Sequence, residues 1–157
     1  MKRTIVFVCT GNICRSPMAE YLFRAHIASQ SDIRVCSAGV MTGYGQPASR
    51  YAVKAMNELG VDMNAHRSQP VTQELVDAAE LLVVMTEGHR DVLLSRYPQA
   101  ASRVALLKSF DTQARDVDVL DPIGLSLDVY RHVRDEIAAA LWGLDLQLQE
   151  NKPEEEK

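Results

Sequence analysis

The sequence predicts an α/β fold: one domain built on a four-stranded parallel sheet with helices on both faces. Three observations lead there. Short apolar runs alternate with amphipathic stretches along nearly the whole chain, the pattern of strands and helices in alternation. The clearest strand runs are continuously apolar, as expected of strands covered on both faces. The length of 157 residues and a hydrophobic share of 46% suit a single sizeable core.

Ile5-Val6-Phe7-Val8 is the first strand run. A helix is expected from Pro17, with Ser16 as its N-cap, because proline suits the first helical position. Met18, Tyr21, Leu22, Ala25 and Ala28 then recur three or four apart. Ile33 to Ser37 alternates and stops at Ala38-Gly39, which predicts the second strand. After a Gly-rich loop, a helix from about Ala48 carries Ala52, Ala55, Met56 and Leu59 on one face and stops at Gly60. Thr72 caps a short helix, with Val71 and Val76 as a hydrophobic staple. Leu81 to Met85 is the third strand, and Thr86 caps a helix that stops at Tyr97-Pro98. Val104 to Leu107 is the fourth strand, and the acidic stretch from Thr112 to Gly124 is a loop. The last helix places Leu127, Tyr130, Val133, Ile137, Leu141, Leu144 and Leu148 on one stripe. Residues 1–148 form the domain, and 149–157, with four acids and two lysines, form an acidic flexible tail.

The net charge of -4 argues against a nucleic-acid footprint or an anionic-membrane surface. The apolar run after Lys2-Arg3 is too short for a secretory signal, and no run approaches the ~20 residues of a membrane span. A cytoplasmic monomer with reduced thiols is expected. Its three cysteines, Cys9, Cys14 and Cys36, therefore need a chemical rather than a disulfide-framework reason. Cys36 reads as a small buried hydrophobe.

The chemistry concentrates between the first strand and the first helix, in Cys9-Thr10-Gly11-Asn12-Ile13-Cys14-Arg15-Ser16. In a parallel α/β sheet, ligands bind beyond the carboxyl ends of the strands. Gly11 and Asn12 tolerate left-handed backbone, which a tight anion-cradling loop needs. Successive N–H groups and a following helix N-terminus form a nest for a dianion, and the Arg15 fork can hold two oxygens. Thiolate, the nucleophilic form of cysteine, is the form such a positive site favours. A general acid must come from elsewhere. Asp116, Asp118 and Asp121 share one loop, and Pro122 restricts the backbone of Asp121. On the residues alone the three acids rank nearly equally.

Val8 to Glu20, read as Val-Cys-Thr-Gly-Asn-Ile-Cys-Arg-Ser-Pro-Met-Ala-Glu, resembles the signature of the low-molecular-weight protein-tyrosine phosphatases. Ser37-Ala38-Gly39, His66-Arg67-Ser68 and Asp121-Pro122 extend the resemblance over residues 4–148. It implies phosphate binding by the loop from Thr10 to Ser16, that is Thr10, Gly11, Asn12, Ile13, Cys14, Arg15 and Ser16. It further implies Cys9 as nucleophile, Arg15 as transition-state ligand and Asp121 as general acid. Asn12, Ser37 and His66 match loop-bracing positions, and Ser16 matches one that bonds the nucleophile sulfur. Cys14 matches a redox-resolving cysteine, positioned to pair with an oxidised Cys9. No cofactor or metal is implied. The expected partners are phosphorylated protein substrates, with inorganic phosphate as product.

Substrate is the open choice, between phosphotyrosine and phosphoarginine. Ile13 resembles the tyrosine branch, where the arginine branch has threonine. Met85-Thr86, His89 and the lack of paired aromatics after Asp121-Pro122 lean the other way. Phosphotyrosine is the expectation, because Ile13 lies beside the substrate. Arsenate reduction needs further redox cysteines, and none follows Cys36. A phosphocysteine relay subunit of sugar transport would not need Arg15 and a leaving-group acid together.

Overall fold

A computed structural model describes residues 2–27 and 32–152. Four parallel strands stand in the order β2-β1-β3-β4, with β1 Arg3–Cys9, β2 Ile33–Gly39, β3 Leu81–Val84 and β4 Val104–Leu106. Among the described residues, five helices connect or flank them: α1 Arg15–His26, α2 Arg50–Asn57, α3 Gln73–Ala78, α4 Glu87–Arg96 and α5 Leu127–Glu150. Chain order leaves β1 toward β2 on one side and returns to β3 on the other. The end of β1 is therefore the switch point at which such sheets bind ligands. Cys9 is the last residue of that strand.

Successive side chains on β1 point to opposite faces, so its apolar run feeds two cores. Ile5 and Phe7 join Val83, Met18 and Phe23 of α1, Met56 of α2, and Val133, Ile137 and Leu144 of α5. Val6 and Val8 join Leu82, Val84, Val76 of α3 and Leu93 of α4. The predicted layering is found. Phe7 and Phe23 meet edge to face, with ring centroids 5.8 Å apart. Burying side chains of this size contributes roughly 1.5–3 kcal/mol each.

Several boundaries differ from the sequence reading. α1 begins at Arg15 with Cys14 as its N-cap residue, two positions before the expected Pro17. Ser16 is not a cap, because its hydroxyl faces the Cys9 sulfur, and Pro17 is tolerated because first-turn N–H groups have no helical partner anyway. α2 starts at Arg50 rather than Ala48, with Ser49 at the N-cap position, and Gly60 beyond its end has φ +74°. Thr72 and Thr86 cap α3 and α4 as expected, accepting from the N–H groups of Leu75 and His89. Two short 3-10 turns, Pro98–Arg103 and Leu107–Phe110, bracket β4 and had no sequence signal. Gln149 and Glu150, expected in the tail, are the last residues of α5, and Gln149 donates to Asp145. Residues 153–157 of the expected tail lie outside the described residues.

Candidate active site

The loop after β1 is held at a tight radius by its neighbours. Val40 N–H donates to the Cys9 carbonyl at 2.9 Å, and Met41 N–H to the Thr10 carbonyl at 3.0 Å. This close approach of β2 needs glycine at position 39, where a Cβ would sit 2.5 Å from the Thr10 oxygen. Asn12 is the one non-glycine residue of positive φ among the described residues, at +56°. Gly11, expected to share that role, has no positive φ.

Asn12 is fully buried and organises the floor of the loop. Its side-chain amide donates to Ser16 Oγ at 2.8 Å and to Ser37 Oγ at 2.9 Å, while its Oδ1 accepts the Gln69 N–H at 3.0 Å. His66 Nε2 donates to the Asn12 carbonyl at 2.7 Å. Ser37 Oγ in turn donates to Glu20 Oε1 at 2.7 Å. With Asn12 occupying a lone pair of Ser16 Oγ, the Ser16 proton is available to the Cys9 sulfur 2.9 Å away. Asn12, Ser37 and His66 are thus brought together where the sequence placed them. Glu20 was not singled out, although its place four residues before Arg24, its ion-pair partner at 2.6 Å, is a visible signal.

Cys9, Thr10, Gly11, Ile13, Cys14 and Arg15 line a cavity of about 210 Å³, closed on the other side by Asp121 and Ile123. Asn12 and Ser16, expected among the phosphate-binding residues, are fully buried and do not line it. Arg15 is buried, donates through Nη1 to the Val119 carbonyl at 3.0 Å, and approaches Thr10 Oγ1 at 3.5 Å and Asp121 Oδ2 at 3.6 Å.

The structure separates the three loop acids. Asp116 pairs with buried Lys108, which also reaches Glu136 at 3.2 Å. Asp118 Oδ1 accepts the Glu87 N–H at 2.8 Å, at the start of α4. Of the three, Asp121 alone lines the cavity, its other oxygen accepting the Ile123 N–H at 3.1 Å.

Cys14 Sγ lies 3.2 Å from Ser49 Oγ and 3.4 Å from the Tyr130 hydroxyl. Ser49 also donates its N–H to the Ile13 carbonyl at 2.8 Å, so the residue heading α2 supports the loop instead of capping its helix. Burial pushes the Cys14 thiol above its ordinary value, against the hydrogen bonds to Ser49 and Tyr130. Burial, reinforced by Glu20, pushes Cys36 up to about 11. All three cysteines are free. Among the described residues no cluster of three or more histidine, cysteine or carboxylate side chains could hold a metal ion, and no helix is long and apolar enough to cross a membrane.

Comparison with known proteins gives a consistent result. The family model for low molecular weight phosphotyrosine protein phosphatase matches residues 4–154. The protein-arginine-phosphatase of Bacillus subtilis is 40% identical over 149 residues, covering 94% of this chain and 98% of the relative. A probable low molecular weight protein-tyrosine-phosphatase, EpsP of Ralstonia nicotianae, is 36% identical over 137 residues, covering 87% and 90%. Arsenate reductase 1 of Bacillus cereus is 34% identical over 140 residues, covering 89% and 92%. A cysteine-to-serine mutant of the YwlE arginine phosphatase, solved with a phosphorylated active-site serine, superposes with a TM-score of 0.88 at 39% identity, covering 95% of this chain and 97% of that one.

Proposed function

Since the chain belongs to the low molecular weight phosphotyrosine protein phosphatase family and is a phosphatase, we propose that it dephosphorylates proteins through a phosphocysteine formed on Cys9. The observation that carries this reading is the convergence of Cys9, Arg15 and Asp121 on one cavity at the end of β1. The Cys9 thiolate attacks phosphorus as the bond to the leaving atom breaks. Arg15 and the loop N–H groups hold the equatorial oxygens where charge spreads. Asp121 gives its proton to the leaving atom, then as a carboxylate takes one from the water that displaces the Cys9 sulfur. Inorganic phosphate leaves and the thiolate is restored. Arg15 is braced for this by the Val119 carbonyl, so little reorganisation accompanies the reaction.

Phosphotyrosine is the substrate the cavity walls favour. Ile13 lines the cavity, so a flat aromatic ring has apolar surface to pack on near the phosphate loop. A second reading, phosphoarginine, is supported by the 40% identity to a relative of that name, by Thr86 and His89, and by Ile123 lining the cavity where tyrosine enzymes carry aromatics. The deciding experiment compares kcat/KM on phosphotyrosine and phosphoarginine peptides, with wild type and Ile13→Thr. Preference for phosphotyrosine, with a shift of at least ~10-fold toward phosphoarginine in the variant, is expected. Faster hydrolysis of phosphoarginine by wild type would reverse the substrate assignment and leave the Cys9 chemistry standing.

Cys14 is proposed as the resolving thiol. Peroxide converts the Cys9 thiolate to a sulfenic acid, and attack by Cys14 forms the disulfide and releases water. Three free cysteines accord with a reducing cytoplasm, where the enzyme is proposed to act as a cofactor-free monomer.

A further inference from the structure

His89 is a buried imidazole beside the cavity that the proposed chemistry leaves without a role. It stands in the first turn of α4, and both ring nitrogens are engaged. Nδ1 lies 3.0 Å from Thr86 Oγ1, and Nε2 lies 2.8 Å from Thr10 Oγ1. Thr86 Oγ1 also accepts the His89 backbone N–H at 3.1 Å, so the helix cap and the ring share one hydroxyl. At the other end, Thr10 directly follows Cys9 and lines the cavity, and Arg15 Nη2 approaches the same Thr10 oxygen at 3.5 Å. A continuous chain therefore runs from the cap of α4 through the ring and Thr10 to the guanidinium.

The structure assigns His89 a positioning role: it fixes the Thr10 hydroxyl, and through it one side of the Arg15 guanidinium, against the bound phosphoryl group. Arg15 is otherwise held by the Val119 carbonyl on Nη1. The Thr10 contact supports Nη2, which also approaches Asp121. Without His89, Thr10 Oγ1 is free to rotate away and the second guanidinium nitrogen loses its backing. Burial first, and the neighbouring Arg15 charge second, push the His89 pKa down to about 4 against the opposing pull of Asp118 and Asp121. A ring kept neutral can sit behind Arg15 without repelling it, and it offers one donor and one acceptor, which the two threonine hydroxyls complement. A lysine or arginine there would meet neither condition. A packing-only histidine would leave turnover by the folded protein unchanged when replaced.

This inference rests on the Cys9–Arg15 reading of the cavity, so the test contains a control for that reading. His89→Leu, His89→Gln, Thr10→Val, the His89→Leu/Thr10→Val double variant and Cys9→Ser are compared. The readouts are kcat and KM on p-nitrophenyl phosphate, the inhibition constant of vanadate, and the melting temperature. His89→Leu and Thr10→Val should each lower kcat/KM and vanadate affinity by roughly 5- to 50-fold, the cost of an unpaired hydroxyl in a closed site. The double variant should be little worse than either single one, because both break the same chain. His89→Gln, whose amide can donate to Thr10, should recover most of the loss. Losses that multiply in the double variant, or a glutamine variant as poor as leucine, would overturn the positioning role. So would full turnover in folded His89→Leu. If His89→Leu does not fold, His89→Ala, alone and combined with Thr10→Val, replaces it in the cycle. In the combined variant, loss equal to that of Thr10→Val alone supports the chain, and a multiplied loss refutes it. Turnover by Cys9→Ser would instead sink the underlying reading of the cavity.

Discussion

Asn12→Ala tests whether the loop is held in its working shape by the buried amide. The side chain makes three hydrogen bonds, two as donor to Ser16 and Ser37 and one as acceptor from Gln69 N–H. The two hydroxyls keep other partners, Cys9 and Glu20, so each lost donor costs about 0.5–1.5 kcal/mol. The Gln69 N–H is left without its partner, which costs about 1–3 kcal/mol. Together these give roughly 2–6 kcal/mol. Alanine at φ +56° adds about 1–2 kcal/mol, because a Cβ without a local hydrogen bond strains left-handed backbone. Against a typical domain stability of about 5–15 kcal/mol, the alanine variant stands near the edge of folding. Asn12→Gly separates the two effects, since it keeps the hydrogen-bond loss and removes the backbone strain. Urea unfolding followed by circular dichroism should rank wild type above Asn12→Gly and glycine above alanine, the last step by about 1 kcal/mol. Phosphatase activity per folded molecule should fall in both. An alanine variant within about 1 kcal/mol of wild type would refute the view that Asn12 braces the loop.

Asp121→Asn should slow poor leaving groups far more than p-nitrophenyl phosphate, since only the former need the proton; equal loss across leaving groups would make Asp121 structural. Peroxide should inactivate wild type reversibly, dithiothreitol restoring it, whereas Cys14→Ser should lose activity irreversibly. Equal recovery of the two proteins would reduce Cys14 to a packing residue tied to Ser49 and Tyr130. His89 also predicts a pH dependence of stability, because its native pKa of about 4 lies below the ordinary value of 6.5. The unfolded chain takes up that proton first, so the stabilisation is present above pH 6.5 and declines as pH falls toward 4. Melting temperatures of His89→Gln should decline less over that window, and parallel curves would exclude His89 as a source of the slope.

What was legible in the sequence is what is contiguous in it. Cys9 to Ser16 lies on one short loop, and β1 announced the switch point because its apolar run is unbroken. The start of α1 was misread for a physical reason: Ser16-Pro17 has the look of a cap and first turn, but the serine hydroxyl is committed to Cys9 and Asn12. Asp116, Asp118 and Asp121 could not be ranked from composition. What separates them are Lys108, the N–H of Glu87 and the cavity itself, all set by tertiary packing. The contacts of Ser49 and Tyr130 with Cys14 were not legible because they span 35 and 116 residues. His89 was visible as a departure from a family pattern, and only its contact with Thr10 gave that departure a physical meaning.

In the proposed reaction, phosphorus passes through the Cys9 sulfur. Rapid acid quench of the enzyme during turnover of p-nitrophenyl phosphate, followed by peptide mass spectrometry, tests it directly. A phosphoryl group on the peptide containing Cys9 is expected, appearing with the first burst of p-nitrophenol and absent from Cys9→Ser. Burst kinetics with the label on another residue, or undiminished turnover by Cys9→Ser, would contradict it.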